Sequence, residues 1–470
     1  MKVIIVGAGR IGSTLVAELV EEGHDITVVD RSQKAIDNIT DSYDIICLNG
    51  NGADIDTLRE AGAGDCRLFI ACTENDDTNM LACLLAKRLG AGHTIARVRN
   101  PEYNDDGLAY ISRQLDLSEA INPENLAAND IFNVLKFPSA ENIESFSGRF
   151  ELIEIVLKED SQMIDVNLAE LRKKTGASFL ICAIQREGRT FIPRGGFELR
   201  SGDRIALTAA PREMHKLLKK TGSLKRSAKN VMIVGAGITA LYLTKKLLES
   251  GIGVKVIDPS RSSCEKFVSM LNDPSAIVIC GDGASQSVLL EEGIGDIDAF
   301  VALTDSDEQN ILISIFAQSL GVGKTVAKVD KKELVLMAEK LGVGCVVSPN
   351  KSASGQLSRY ARALKKAEGS NVQALYKVLD GSAEAIEFQV KADFQYNGVM
   401  LKDMRLKSGI LIAGIIRDGV PVIPAGTDCI LSGDRVVVIS SGHRLEDLSD
   451  TVETSVRRTD DAAGMSSLGA

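Results

Sequence analysis

The sequence predicts an α/β fold built twice over: a doubly wound parallel-sheet domain followed by a small α+β domain, and then both again. Three observations carry that prediction. A short apolar strand stops at the glycine turn Gly7-Ala8-Gly9-Arg10-Ile11-Gly12, apolar strands and helices then alternate as far as Val98, and the whole pattern returns 228 to 231 residues later. Alternation of this kind makes a parallel sheet with helices on both faces, and ligands bind at the carboxyl ends of its strands.

Lys2 to Val6 has the β-branched content of a buried strand, and the G-x-G-x-x-G turn after it opens a helix through about Glu22. In a Rossmann-like domain the first glycine makes the tight turn, the second lets the backbone approach a pyrophosphate, and the third lets the helix pack closely on the strand. The free N–H groups of that helix start, with the helix dipole behind them, favour phosphate. A second strand, Ile26 to Val29, ends at Asp30, eighteen residues after Gly12, where the fingerprint places an acid on the ribose hydroxyls. The acid disfavours a 2′-phosphate, so NAD or an adenine nucleotide is expected rather than NADP; Arg31 beside it softens that exclusion.

The alternation continues through a helix near Ser32 to Thr40, a strand at Ile45 to Leu48, the turn Gly50-Asn51-Gly52, a helix from Asp54 to Glu60 and a strand at Leu68 to Ala71. Thr73-Glu74-Asn75-Asp76-Asp77 then leads into a helix to Leu89 and a strand at Thr94 to Val98. Asp30, Asn51, Thr73 and Arg97 all fall at or near strand carboxyl ends. Asn51 and Thr73 can offer hydrogen bonds to adenosine or ribose, and Arg97 can neutralise phosphate charge. The alternative for each is a helix cap or a surface ion pair. Pro123 and Glu124 suit a helix start, and the helix to Lys136 carries Leu126, Ile131, Val134 and Leu135 as an apolar stripe that is either core or a dimer contact.

From Phe150 to Ala209 the periodicity changes to a small α+β unit, with strands at Leu152 to Val156, Phe179 to Gln185, Thr190 to Ile192 and Arg204 to Leu207, a short helix around Leu168 to Lys174, and a hairpin turn at Arg186-Glu187-Gly188. Lys216 to Lys229, with five lysines and one arginine, reads as a solvated linker. Val231 to Val234 then opens the copy. Gly235-Ala236-Gly237-Ile238-Thr239-Ala240 and Asp258 repeat Gly7 to Gly12 and Asp30 at a spacing of 228; Asp282, Thr304, Asp305 and Lys328 repeat Asn51, Thr73, Glu74 and Arg97 at 231; and Ser432-Gly433-Asp434-Arg435 repeats Ser201-Gly202-Asp203-Arg204. Three residues are therefore added between the second and third strands of the copy. Such a repeat is the most specific signal in the chain. Ile238 in place of Arg10, Asp282 in place of Asn51 and Pro349-Asn350 in place of Pro123-Glu124 predict two nucleotide sites of different preference.

Composition narrows the function. The chain of 470 residues has 44% apolar and 25% charged residues and a net charge of -10, the opposite of a nucleic-acid footprint. No run approaches eighteen apolar residues and Met1-Lys2 leads straight into a strand, so neither a membrane span nor a signal peptide is expected. The nine cysteines form no C-x-x-C pair and read as reduced core thiols, and His24, His93, His215 and His443 show no metal spacing. His24 and His93 fall in turn-like stretches before strands, where surface histidines are common.

The combination of GAGRIG with Asp30, GNGA at 50–53, TENDDTNM at 73–80, IARVRNPEY at 95–103 and INPE at 121–124 resembles the TrkA family, cytoplasmic regulatory subunits of Trk-type potassium uptake systems whose lobes are called RCK or KTN domains. The resemblance divides the chain into a first RCK-N domain at 1–140, a first RCK-C domain at 146–222, a second RCK-N domain at 228–365 and a second RCK-C domain at 372–446; the tail at 447–470, rich in Asp, Ser, Thr and Gly, is expected to be disordered. The resemblance implies binding of NAD(H) or ATP/ADP, no enzymatic activity, a homotetrameric gating ring, and docking at the inner face of the cell membrane beneath a potassium-translocating subunit. It also implies that Gly7, Ala8, Gly9, Arg10, Ile11, Gly12, Asp30, Asn51, Thr73, Glu74 and Arg97 line a first site. A second would be lined by Gly235, Ala236, Gly237, Ile238, Thr239, Asp258, Asp282, Thr304, Asp305 and Lys328. Two other readings remain: an NAD-dependent dehydrogenase, which would need an acid or base beside the nicotinamide, and a nucleotide-binding scaffold without transport coupling.

Overall fold

The computed structural model describes residues 1–103, 105–137, 140–146, 150–221, 228–366, 372–379, 381–443 and 445–453. The first lobe runs β1 (Lys2–Val6), α1 (Arg10–Glu21), β2 (Asp25–Asp30), α2 (Gln33–Thr40), β3 (Ile46–Asn49), α3 (Ile55–Glu60), β4 (Leu68–Ala71), α4 (Asp76–Leu89), β5 (His93–Arg97), α5 (Asp105–Gln114), β6 (Glu119–Ile121) and α6 (Pro123–Lys136). The first small lobe follows as β7 (Ala140–Phe146), β8 (Phe150–Val156), α7 (Leu168–Thr175), β9 (Phe179–Arg186), β10 (Arg189–Phe191), β11 (Arg204–Ala209) and α8 (Pro211–Lys220). The second lobe is β12 (Asn230–Val234), α9 (Ile238–Glu249), β13 (Gly253–Asp258), α10 (Arg261–Leu271), β14 (Ile277–Cys280), α11 (Gln286–Glu291), β15 (Ala299–Ala302), α12 (Asp307–Ser319), β16 (Lys324–Lys328), α13 (Lys332–Lys340), β17 (Val346–Val347) and α14 (Pro349–Lys366). The second small lobe is β18 (Val372–Val378), β19 (Ala383–Gln389), β20 (Ile410–Arg417), β21 (Val420–Val422) and β22 (Arg435–Ser440).

Both large sheets are parallel and share one order, β3-β2-β1-β4-β5-β6 and β14-β13-β12-β15-β16-β17. Their central strands are buried on both faces, which is why β4 and β15 read as unbroken apolar runs. The three residues added in the copy lengthen one helix: α10 has 11 residues where α2 has 8. The small lobes form antiparallel sheets ordered β10-β9-β11-β8-β7 and β18-β19-β22-β20-β21.

The chain divides into two compact units: one holds 1–143, 160–162 and 218–365, the other 144–159, 163–217 and 366 onward. Like therefore pairs with like, the two parallel sheets in one unit and the two antiparallel sheets in the other. Within the first unit, the lobes exchange their last helices. Ala127, Ala128, Ile131 and Leu135 of α6 enter the core of the second lobe beside Ile233, Leu241 and Val256. Ala353, Leu357, Ala361 and Leu364 of α14 enter the first lobe's core beside Ile5, Leu15 and Val28. At about 1.5–3 kcal/mol per buried aliphatic side chain, each exchange is worth several kilocalories. This answers the alternative left open for α6: its stripe is core, inside the chain.

The two exchanges differ in kind. α14 adds a polar row, with Ser354 and Ser358 donating to Glu18, Tyr360 against His93 Nδ1 at 2.9 Å, and Arg362 beside Glu22 at 3.1 Å. Within the second unit, Phe146, Leu152 and Cys182 of one small lobe pack with Ala385, Ala413 and Val437 of the other. The Thr208 hydroxyl donates to Ala413 O at 3.0 Å. The hairpin turn expected at Arg186-Glu187-Gly188 is present, with φ of 50° at Glu187 and 74° at Gly188.

Three expectations are corrected. His24 is buried rather than on the surface, 3.8 Å from Glu22, because the tight turn after α1 bonds Gly23 N to Val20 O and His24 N to Leu19 O and folds it back on the helix end. The basic stretch from Lys216 begins inside α8, where Leu217 and Leu218 are buried; its residues 222–227 lie outside those described. The segment after 447 is ordered as far as Glu453: Leu448 to Thr451 form a short helical turn capped by Asp447, and Val452 bridges Leu406. The rest of that tail, 454–470, lies outside the described residues.

Candidate nucleotide-binding site

Each glycine turn is built by the contacts that its composition demands. Gly7 sits at φ 104°, where a Cβ would lie 2.9 Å from Thr73 N, and a Cβ at Gly12 would lie 1.9 Å from Gly7 O. Only glycine fits either place. Gly9 and Gly237 behave differently: a Cβ there meets nothing within 4 Å, so both face open space where a phosphate can approach the backbone. Both are helix N-caps without a side-chain cap, and neither α1 nor α9 has an acid in its first turn, leaving donors free and unopposed.

Asp30 holds its turn in shape, accepting from Ala8 N at 2.6 Å and Ser32 N at 2.7 Å. Asp258 repeats this with Ala236 N and Ser260 N, both at 2.9 Å. Each carboxylate keeps lone pairs for a ribose hydroxyl. Asn51 and Asp282 also accept backbone bonds, from Ala53 N at 3.1 Å and Ala284 N at 2.9 Å.

The two turns face one cleft of about 590 Å³ within the first unit. The structure brings to it Gly9, Arg10, Ile11, Glu74 and Arg97 from one lobe and Gly237, Ile238, Thr239, Asp305 and Lys328 from the other. Gly7, Ala8, Gly12, Asp30, Asn51, Thr73, Gly235, Ala236, Asp258, Asp282 and Thr304 stand outside its lining. The first lobe's side carries Arg10, Arg97 and Arg99 against Glu74 and Glu124, whereas the second carries Lys328 against Asp305 and Asp330. An extra phosphate is therefore better matched to the first side. Arg10, 73% exposed, reaches across to Asp330 at 3.7 Å; Arg99 pairs with Glu124 at 2.9 Å and Lys328 with Asp305 at 3.8 Å. Arg97 Nε, Arg99 Nε and Glu124 Oε2 are buried with no hydrogen-bond partner among the described residues. Buried guanidinium Nε groups without a partner, beside free helix N-termini, fit a phosphate-bearing ligand.

Sequence reasoning missed the residues that hold these groups in place. Asn79 and Asn310 are fully buried. Asn79 Oδ1 accepts from Thr73 N at 2.8 Å and Thr73 Oγ1 at 2.7 Å, while its Nδ2 donates to Arg97 O at 2.9 Å. Asn310 does the same with Thr304 and Lys328 O. The Thr73 and Thr304 hydroxyls are thus bound inside their loops rather than offered to a ligand. Asp76 and Asp307 each accept two backbone N–H bonds from the loop after the fifth strand. The signal was available, since Asp76, Asn79, Asp307 and Asn310 repeat at 231 along with Thr73 and Thr304. Arg99 and Asp330 occupy the same position in the two copies with opposite charge.

Cys72 also lines the cleft, but burial pushes its thiol up to about 12, so it is a neutral wall and not a nucleophile. No histidine is among the lining residues described.

The family model for the TrkA-N domain matches residues 3–123 and 231–349, and that for the TrkA-C domain matches 152–222 and 386–452. The chain belongs to the TrkA family. A Trk system potassium uptake protein TrkA homologue of Archaeoglobus fulgidus is 31% identical over 96% of this chain and 99% of its own length. The TrkA of Vibrio alginolyticus is 31% identical over 94% of both. Both relatives are named as potassium uptake proteins. Among solved structures, the GsuK channel superposes with a TM-score of 0.62 at 17% identity, over 94% of this chain and 77% of that one; its NAD-bound form gives 0.60. At this identity the likeness is one of fold, that of tandem RCK domains. No helix among the described residues of this TrkA family member is long and apolar enough to cross a membrane.

Proposed function

We propose that this chain is the regulatory subunit of a Trk-type potassium uptake system, at the inner face of the cell membrane, reading NAD(H) and ATP or ADP at its two glycine turns. The observation that carries the reading is the single cleft onto which both turns open, lined by arginines whose Nε groups lack partners. Its support from outside the chain is the name shared by its relatives and the fold shared with an NAD-bound channel.

A bound nucleotide supplies phosphate charge and ribose hydroxyls to the cleft. Asp30 and Asp258 hold the ribose, and the amides after Gly9 and Gly237 hold the pyrophosphate. Arg97 and Arg99 neutralise it from the first side, where Arg10 takes any terminal phosphate by leaving Asp330. Because Arg10 then changes partner between lobes, occupancy alters how the lobes hold each other, and a ligand shifts a conformational equilibrium only through such differential contacts. Four chains in a ring would present eight turns beneath a potassium-translocating partner. Moving a two-state gate from mostly closed to mostly open takes about 5.5 kcal/mol, or roughly 0.7 kcal/mol per turn across eight.

Calorimetric titration of the purified chain with ATP, ADP, NAD and NADH tests this, alongside Asp30→Ala and Asp258→Ala. Two separable sites, each lost with its own variant and without NADH turnover, are expected. Absence of binding, or steady NADH consumption, would overturn the reading.

A further inference from the structure

The second lobe carries two thiols that the first lobe lacks. Cys264, in the first turn of α10, is buried, and Cys280, at the carboxyl end of β14, is exposed. In the first lobe the corresponding positions are Ile36 and Asn49. Cys280 is paired in register with Asp258. Cys264 Sγ lies 3.5 Å from Asp258 O and 3.7 Å from Ile279 O, and Cys280 Sγ lies 3.7 Å from Pro259 O. Both sulfurs therefore lie over the short turn that begins at Asp258, the residue that braces the second glycine turn, and Cys264 also reaches the carbonyl of Ile279, the neighbour of Cys280. Burial, and then the charge of Asp258, push the Cys264 thiol up, so exposure selects Cys280 as the sulfur that meets a solute first.

We propose that Cys264 and Cys280 form a peroxide-oxidisable dithiol whose disulfide weakens nucleotide binding at the second glycine turn. The coupling rests on the reading of that turn as a nucleotide site. In the first step the Cys280 thiolate attacks one oxygen of hydrogen peroxide; the O–O bond breaks, sulfur loses two electrons, and sulfenic acid and water result after proton transfer. In the second, the Cys264 sulfur attacks the Cys280 sulfur, the S–O bond breaks, and the departing hydroxide takes the Cys264 proton as water. Two thiols and one peroxide thus give one disulfide and two waters, and a dithiol reductant reverses the change by exchange. Closing the bond draws the start of α10 and the end of β14 together. Asp258, Pro259 and Ser260 lie between these elements, so the hydrogen bonds of Asp258 to Ala236 N and Ser260 N are displaced with them. The first lobe, with Ile36 and Asn49, is an internal control.

The test treats the full chain with hydrogen peroxide, blocks remaining thiols, and seeks the Cys264–Cys280 linked peptide by mass spectrometry. Calorimetry with NAD is run on the reduced, oxidised and dithiothreitol-treated chain, and Cys280→Ser is taken through the same steps. The linked peptide is expected in the natural chain and absent from Cys280→Ser. NAD should bind the second site roughly fivefold or more weakly after oxidation, recover on reduction, and be unchanged at the first site. No linked peptide would overturn the dithiol. A linked peptide with less than about a fivefold change would overturn the coupling. A reduced chain that takes no NAD at the second site would refute the nucleotide reading and the coupling with it, while the linked peptide still decides the dithiol.

Discussion

Arg10 and Asn79 show two ways in which one residue can serve the proposed phosphate site. Arg10 acts from the surface: its guanidinium meets Asp330 across the cleft at 3.7 Å while remaining largely solvated, so the pair itself adds little stability. In the proposed reading its value lies in being free to exchange that carboxylate for a terminal phosphate, a group that Ile238 in the other turn could not bind. Arg10→Ala is expected to weaken ATP by about 1 kcal/mol, roughly fivefold, and NADH by less; equal losses in titration would remove the terminal-phosphate role. Asn79 acts from the interior, joining the ends of β4 and β5 through Thr73 and Arg97 O. Asn79→Ala leaves several buried partners unsatisfied and is expected to cost about 2–4 kcal/mol in urea unfolding. A loss below about 1 kcal/mol would show that the loop closes without it.

At the scale of elements, the exchanged helices α6 and α14 hold the lobes together by different chemistry. α6 enters an apolar core, whereas α14 also packs on the half-buried carboxylate Glu119. Glu119 accepts from Gln356, and the exposed Asp130, on α6, accepts from Ser352. Burial raises the Glu119 carboxyl above its ordinary value of 4.5, with that hydrogen bond and the charge of Arg359 pulling the other way. A raised carboxyl pKa means that the folded chain holds its proton more tightly than the unfolded chain. The resulting stabilisation is complete below the ordinary value and is lost as pH rises through the raised one. Glu119→Gln should therefore gain stability over the natural chain as pH climbs from about 4 towards neutrality. Denaturation midpoints at several pH values check this; a difference that does not change with pH would mean that the carboxylate is not penalised by its burial.

At the scale of the whole molecule, duplication has become interdependence. Each parallel-sheet lobe lends its last helix to the other, so neither half of the chain carries a complete core. A chain ended at residue 222 keeps α6 but loses the second-lobe surface that covers Ala127, Ala128, Ile131 and Leu135. Such a half is expected to associate in pairs, each copy's α6 finding the place that the missing lobe provided. Sedimentation of that fragment tests the idea, and a stable folded monomer would contradict it. The same interdependence puts both glycine turns on one cleft, so that a ligand at either would touch the interface of both lobes.

By itself, the sequence determined the local chemistry: the strand, glycine turn and helix at Lys2 to Glu21, the acid at Asp30, the duplication, and the change to a small α+β unit after Phe150. Those features are legible because the relevant contacts lie within a few residues, or recur at a fixed spacing that a repeat makes visible. The pairing of like domains, the exchange of α6 and α14, the burial of His24, the bridge from Arg10 to Asp330 and the placing of Cys264 and Cys280 over one turn were decided only by the tertiary structure. Each depends on which apolar faces or strand ends come to lie against each other. An apolar stripe such as that of α6 states that it must be covered, but hydrophobic burial has no direction and names no partner.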